Sequence, residues 1–350
     1  MTRYKKIALL LGTVLLLLAA SLAFLWIKFG QRAQRYTCSN DAMGTSIQQT
    51  VYGEKAQTAA TAAAQSIGAL ENLISLQADG SDTARLNEAA GTDWITISSK
   101  TDKLLQTALS VAADSCGAYD PTVLPVSSLW DFGGGNQHLP SKAEIQKYLQ
   151  YVDYKNLRIN TAENTASLRN HLMGVTLEGI CKGACCDEAV AAYRSCGADC
   201  GIVAAGASVG TYGRKADGSL WSIALRDPAS TADSGAAMGE FSLTSGFVST
   251  VGVYEKCFHE NGILYHSLLN PKTGYPQNNG LVSVAVVSGS GALSDALANA
   301  CFIMGRDKSA VLLEKYKAGA VFIDGSNRVF VMGGLKKKFT ITNGKYKLQP

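Results

Sequence analysis

Charge is scarce in this chain, proline scarcer, and histidine nearly absent. Of 350 residues, 17% are charged, seven are proline and four are histidine. Soluble domains usually carry about a quarter of their residues as charges. So lean a charge content, beside 47% hydrophobic residues, excludes a disordered or fibrous chain and describes a globular, loop-rich one. The four histidines are scattered and form no metal-spaced set. There is no Gly-x-Ser-x-Gly, no Walker-type phosphate loop and no His-Glu-x-x-His. Those absences remove the nucleophile-elbow hydrolases, the P-loop NTPases and the zincins. Beyond residue 40 no second linker, repeat or low-complexity tract appears.

What is present begins with an uncharged run of 21 residues, 7–27, rich in Leu and Ala. At 1.5 Å per residue it spans about 30 Å, the hydrocarbon thickness of a bilayer. It reads as an uncleaved membrane anchor, with a cleaved signal sequence, led by Arg3, Lys5 and Lys6, as the alternative. Lys28, Arg32 and Arg35 follow on the other side, so flanking charge does not orient it. Without those six, 26 basic residues face 28 acidic ones, and nothing suggests nucleic-acid binding. The expected organisation is an anchor over residues 1–35 and one domain over 36–350.

Nine cysteines are many, and odd in number. Cys181, Cys185 and Cys186 cluster near Cys196 and Cys200, without the paired spacing and nearby histidine of a zinc site. Small buried thiols are the expected reading, with a disulfide as the alternative.

Apolar periodicity predicts helices over 55–74, 100–115, 188–195 and 293–304. A further helix over 141–151 should be opened by Ser141 with Glu144 closing a capping box. Strands are expected at 46–52, 156–159, 167–168, 200–205, 221–225, 241–243, 282–287, 320–323 and 328–332. Residues 118–135, with Pro121, Pro125 and three consecutive glycines, read as an ordered loop. Strands interrupted by a few helices, with no regular alternation, predict an α+β fold.

Four constellations invite chemistry. Asp120 precedes Pro121, in a setting that also suits a simple Asx turn. Lys182 lies between Gly179 and Gly183 ahead of a helix, where a phosphate would find backbone N–H groups. Residues 265–276 hold Asn-Pro and Thr-Gly steps that mark a tight turn. Asp295 and Asn299 stand four apart on one helix face, a spacing that suits a hard cation or, equally, an N-capping carboxylate.

Eight segments occur together in the order found in the ApbE flavin transferases, and the chain resembles that family from about residue 36 to 305. They are Met43-Gly-Thr, Ser81-Asp-Thr-Ala-Arg-Leu-Asn87, Tyr119-Asp-Pro-Thr122, Leu129-Trp-Asp-Phe-Gly133, Gly179-Ile-Cys-Lys-Gly183, Leu225-Arg-Asp-Pro228, Asn270-Pro-Lys-Thr-Gly-Tyr-Pro276 and Ser294-Asp-Ala-Leu297. The resemblance implies Mg²⁺-dependent transfer of FMN from FAD to a threonine or serine of an acceptor protein. It places Met43, Ala118, Tyr119 and Asp120 against the cofactor and Lys182 near its phosphates. Gly179, through its carbonyl, Asp295 and Asn299 would be the metal ligands. With the apolar run, it implies a single-pass protein of the cytoplasmic membrane, with both catalytic domain and acceptor extracytoplasmic.

Several positions depart from the family pattern. Thr176 stands where an acidic residue is expected, Glu178 where a glycine is, and Gln77 where an aromatic cofactor contact is. Residue 299 is usually a threonine, Ser208 replaces a carboxylate, and Val251 replaces a hydroxyl-bearing residue. Ser267 occupies the place of a histidine, with His266 beside it. A serine is no general base near neutral pH, whereas an imidazole is. Ser267 and His266 are therefore the candidate catalytic positions, and an impaired, flavin-binding member of the family is the alternative reading.

Overall fold

The computed structural model describes residues 17–21, 34–231 and 234–350. Among them a nine-stranded sheet forms the spine, in the order β1-β2-β6-β7-β10-β13-β14-β15-β17. Its strands are β1 (Arg35–Ala42), β2 (Thr45–Tyr52), β6 (Cys200–Ala205), β7 (Ser208–Tyr212), β10 (Gly246–Gly252), β13 (Leu281–Ser288), β14 (Gly319–Asp324), β15 (Arg328–Met332) and β17 (Lys347–Leu348). Neighbours are antiparallel except the β15–β17 pair at one edge. Three small sheets accompany it: β3 (Ile95–Thr96), β5 (Thr165–Leu168) and β4 (Leu157–Asn160); β16 (Phe339–Ile341), β9 (Ala237–Leu243) and β8 (Trp221–Arg226); and the hairpin β11 (Cys257–Glu260) with β12 (Ile263–His266).

Both faces of the large sheet are covered, and its central strands are written accordingly. Successive side chains of a strand point to opposite faces. Val284, Val286, Ala320 and Phe322 enter the core on the helical side, while Ala285, Val321 and Ile323 join Phe241 and Leu225 on the other. Hence β13 is apolar on both sides, and its run of valines does not alternate.

The helical layer holds α1 (Ala56–Ile74), α6 (Cys181–Cys196) and α7 (Gly291–Met304). Helix α1 buries Ala56, Ala59, Ala60, Ala63, Ile67, Leu70 and Ile74, a stripe at helical spacing. Its alanines meet Cys185, Cys186 and Ala189 of α6, and such small side chains let the two backbones approach closely. The remaining helices are α2 (Asp82–Glu88), α3 (Ser99–Asp114), α4 (Leu124–Trp130), α5 (Lys142–Leu149) and α8 (Arg306–Lys315). The capping box at Ser141 and Glu144 forms as expected. All nine cysteines are free thiols, five of them buried.

The α+β expectation holds, and the departures have local causes. Helix α4 lies inside the stretch read as loop, with Pro125 in its first turn, where a missing N–H costs nothing. Helix α6 begins seven residues before the predicted start because its first turns carry Gly183 and cysteines rather than an apolar stripe. The single-pass membrane placement, with its extracytoplasmic catalytic domain and its anchoring helix, is corrected. No helix among the described residues is long and apolar enough to cross a membrane. Of the run 7–27 only residues 17–21 are described, as helix, and the rest lies outside the described residues.

Candidate active site at the crossing of two helices

The N-terminal turns of α6 and α7 meet over the middle of the large sheet. An ideal Cβ on Gly183 would stand 2.0 Å from the Gly291 carbonyl oxygen, and one on Gly291 would stand 2.1 Å from that of Gly183. Only glycine permits this approach on either side. It brings Asp295 of α7 against the start of α6, where its Oδ2 accepts from the Gly183 amide at 2.6 Å. Oδ1 accepts from the Ser208 hydroxyl at 2.6 Å. Ser208 and Ser249 are cross-strand partners on β7 and β10, and the buried Ser249 hydroxyl has no geometric partner among the described residues. Burial raises the Asp295 pKa, opposed by the Ser208 and Gly183 hydrogen bonds and by the charge of Lys182.

Lys182 is in the first turn of α6, where the helix dipole disfavours a cation unless an anion accompanies it. Its Nζ lies over the turn between β6 and β7, 3.3 Å from where a Cβ on Gly206 would be. One turn beyond Asp295, the Asn299 amide donates to the Gly179 carbonyl at 3.3 Å and to the Asp295 carbonyl at 3.0 Å. Tyr119 closes this corner. A Cβ on Gly179 would sit 3.0 Å from its ring, a tight contact that glycine relieves. The Tyr119 hydroxyl is buried without a partner, and burial, then the nearby Asp295 carboxylate, raises its pKa. Cys181 shares the pocket, its thiol pushed up to about 12 by burial first and Asp295 second.

Five sequence-derived candidates are thus assembled: Tyr119, Gly179, Lys182, Asp295 and Asn299. The others lie around them in different states. Met43 has a positive φ of 53° in the β1–β2 turn, and its amide donates to Glu71 of α1 at 2.6 Å. Ala118 is part-buried before Tyr119, in a turn closed onto Ser115. Asp120 makes the Asx turn: Oδ1 accepts from the Thr122 amide and hydroxyl, and Oδ2 from the Tyr154 amide. Thr176 accepts from the Glu178 amide and donates its own to Pro121. Gln77 is exposed, bonded to Ser75. His266 is buried with Nδ1 unpartnered, its ring edge-on to Phe302, and burial lowers its pKa to about 4. Ser267 donates its backbone amide to the Lys256 carbonyl.

A model of the ApbE family matches residues 43–323, about four-fifths of the chain. The chain belongs to the ApbE family. A relative from Treponema pallidum, named FAD:protein FMN transferase, is 27% identical over 336 residues, covering 91% of this chain and 92% of that protein. The crystal structure of an ApbE protein from Thermotoga maritima has a TM-score of 0.80 at 29% identity, covering 87% of this chain and 99% of that one. The flavin transferase ApbE from Vibrio cholerae, at 23% identity, shares the fold with a TM-score of 0.78, covering 87% and 99%.

Within this ApbE chain two replaced positions have identifiable work. Ser208 holds the Asp295 carboxylate by a hydroxyl hydrogen bond. Glu178 is exposed and pairs with Lys256 at 2.9 Å, beside the strand end that carries Ser267. Ser249 was missed from the sequence, and Asn87, named only within its segment, clamps the Val175 backbone through N–H and C=O at 2.7 and 2.9 Å. The signal for Ser249 was weak, since an isolated serine carries no spacing rule. Among the described residues no group of three or more His, Cys, Asp or Glu is placed to hold a metal. One carboxylate, one backbone carbonyl and one side-chain amide nonetheless fit magnesium. That ion keeps several waters and takes one or two carboxylates together with ligand phosphates. As placed, Asn299 shows its nitrogen to Gly179, so its oxygen would serve only with the amide turned over.

Proposed function

We propose that this chain is an FAD:protein FMN transferase, acting through one domain over residues 36–350. It would join FMN through a phosphoester to a threonine or serine of an acceptor protein. One observation carries this reading: Asp295, Lys182 and the unpartnered Tyr119 hydroxyl converge where two helix N-termini meet. A pyrophosphate is the ligand such a corner suits, being anionic and rich in acceptors. Lys182 would balance phosphate charge, and Tyr119 would donate its hydroxyl to the bound cofactor. Met43, Ala118 and the backbone around Asp120 would frame the remaining cofactor surface, with Gln77 and Thr176 at its edge. Asp295, the Gly179 carbonyl and Asn299 would hold Mg²⁺, which when bound neutralises charge on the pyrophosphate.

In the reaction the acceptor oxygen attacks the FMN phosphorus, the bond from that phosphorus to the bridging oxygen breaks, and AMP leaves with the electron pair. The acceptor proton needs a destination. His266 is turned into the core at low basicity and Ser267 has no basic atom. That observation favours a second reading, a flavin-binding member in which transfer is slow. Incubating the chain with FAD, Mg²⁺ and a candidate acceptor, then weighing the acceptor, separates the two. Mass gain with AMP release supports transfer. FAD binding without mass gain supports the second reading, and absence of both defeats each.

A further inference from the structure

The helix crossing contains a second carboxylate that the reaction does not use, Asp187, and its geometry mirrors that of Asp295. On α6 a glycine is followed four residues later by an aspartate, Gly183 and Asp187; on α7 the same spacing holds, Gly291 and Asp295. The two glycines touch. Asp295 of α7 accepts the Gly183 amide of α6. Asp187 of α6 accepts the Gly291 amide of α7 at 2.7 Å on Oδ1, and the Ala292 amide and Ser290 hydroxyl at 2.9 Å on Oδ2. Each helix start is therefore capped by a carboxylate from the other, and the caps lie on either side of one glycine–glycine contact.

We infer that Asp187 is a positioning residue for the Lys182–Asp295 pair, acting through this reciprocal clasp. The first N–H groups of a helix have no partner of their own. Their capture by Asp187 fixes where α7 begins, and Asp295 stands one turn inside that start. Capture of Gly183 by Asp295 fixes α6 in turn, with Lys182 adjacent. A lone cap would hold one helix. Two reciprocal caps hold the axial register between the helices, and with it the backbone positions from which Lys182 and Asp295 project. The inference rests on the functional reading only in naming FAD and Mg²⁺ as what the pair serves.

The test compares the full chain with Asp187→Ala and with the isosteric Asp187→Asn, which keeps a single acceptor oxygen. Two readouts are taken. In amide exchange, a merely local cap would loosen Gly291 and Ala292 alone. A clasp also loosens Gly183, whose partner is Asp295, and its exchange should quicken at least tenfold in Asp187→Ala and less in Asp187→Asn. In FAD titration with and without Mg²⁺, the Mg²⁺-dependent gain in affinity should fall about tenfold in Asp187→Ala, with partial recovery in Asp187→Asn. Should Asp187→Ala not fold, Asp187→Asn decides alone, with a graded loss of the same sign. Unchanged Gly183 exchange in a folded variant overturns the clasp. So does a Mg²⁺-dependent gain equal to that of the unaltered chain. If the unaltered chain shows no Mg²⁺-dependent FAD binding, the functional reading fails, while Gly183 exchange still decides the role of Asp187.

Discussion

The helix crossing at Asp295 and the strand end at His266, whose ring meets Phe302 two turns further along α7, are built on opposite terms. At the crossing, each oxygen of Asp295 has a defined donor and each donor comes from a different element: α6 for Gly183, β7 for Ser208. The carboxylate is held from two sides, by a backbone amide and by the Ser208 hydroxyl. At the strand end the imidazole has been absorbed by the core. His266 is 5% exposed, edge-on to Phe302, with one ring nitrogen unsatisfied. One polar group is held by donors from two elements, and the other stands in apolar surroundings with a nitrogen unsatisfied.

The largest effect should follow from breaking the constrained side. Asp295→Ala removes the one carboxylate proposed for the metal and strands the Gly183 amide and the Ser208 hydroxyl. Each stranded donor costs about 1–3 kcal/mol of stability. Transfer activity, measured by acceptor mass, should fall by at least about 10²-fold, as for loss of a charge-stabilising group. An Asp295→Ala chain that keeps both its rate and its Mg²⁺ dependence would remove Asp295 from the site.

The next change acts on the unconstrained side. Ser267→His places an imidazole where the resemblance puts one, and general-base catalysis contributes about 10²–10⁴-fold. A rise in transfer of about 10²-fold is expected, with His266→Phe leaving the rate nearly unaltered. Loss of transfer in His266→Phe, with the protein still folded, would show instead that the buried ring takes part.

His266 also makes a prediction about pH. Its folded pKa, about 4, lies below the ordinary 6.5 because burial disfavours the cation. Above pH 6.5 neither the folded nor the unfolded chain binds this proton. Between 6.5 and 4 the unfolded chain takes it up and the native one does not, so stability falls as pH falls. The loss should approach roughly 2–3 kcal/mol by pH 4. Denaturant melts of the unaltered chain and of His266→Phe at pH 7 and pH 4.5 check it. The substituted chain should lose less across that interval, and equal losses would reject the assignment.

The contrast also explains what could be read from sequence. The Lys182, Gly179 and Asp295 segments left a local trace in glycine spacing and an i, i+4 pair, and the family resemblance drew them together. Strands such as β13 were legible as apolar runs. Helix α4 was hidden by prolines and glycines that signal loops, and α6 by the small residues that its close packing demands. The Asx turn at Asp120 was one of two readings its Asp-Pro step allowed, whereas the fate of His266 was not legible. Thr122, two residues on, closes the Asp120 turn, but what takes its second oxygen and which way the His266 ring points depend on Tyr154 and Phe302, 34 and 36 residues away. The equal Gly-x-x-x-Asp spacings on α6 and α7 were visible in the sequence, but their meaning needed the contact between them.

Tyr119 gives the smallest expected effect and the finest test of the constrained side. Its hydroxyl, packed beside Gly179, is buried and unpaired among the described residues. A buried hydroxyl without a hydrogen bond costs about 1–3 kcal/mol on mutational scales. Tyr119→Phe removes that group and keeps the ring that packs on Gly179. The ligand-free protein should therefore be as stable as before, or more stable by up to about 1 kcal/mol, rather than less. FAD affinity should move the other way, falling about fivefold as one hydrogen bond to the cofactor disappears, since such a bond contributes about 1 kcal/mol. Thermal melts with and without FAD measure both signs on one sample. A phenylalanine variant that is less stable without ligand and unchanged in FAD affinity would make Tyr119 a structural residue, and the corner at Gly179 would lose its claim on the cofactor.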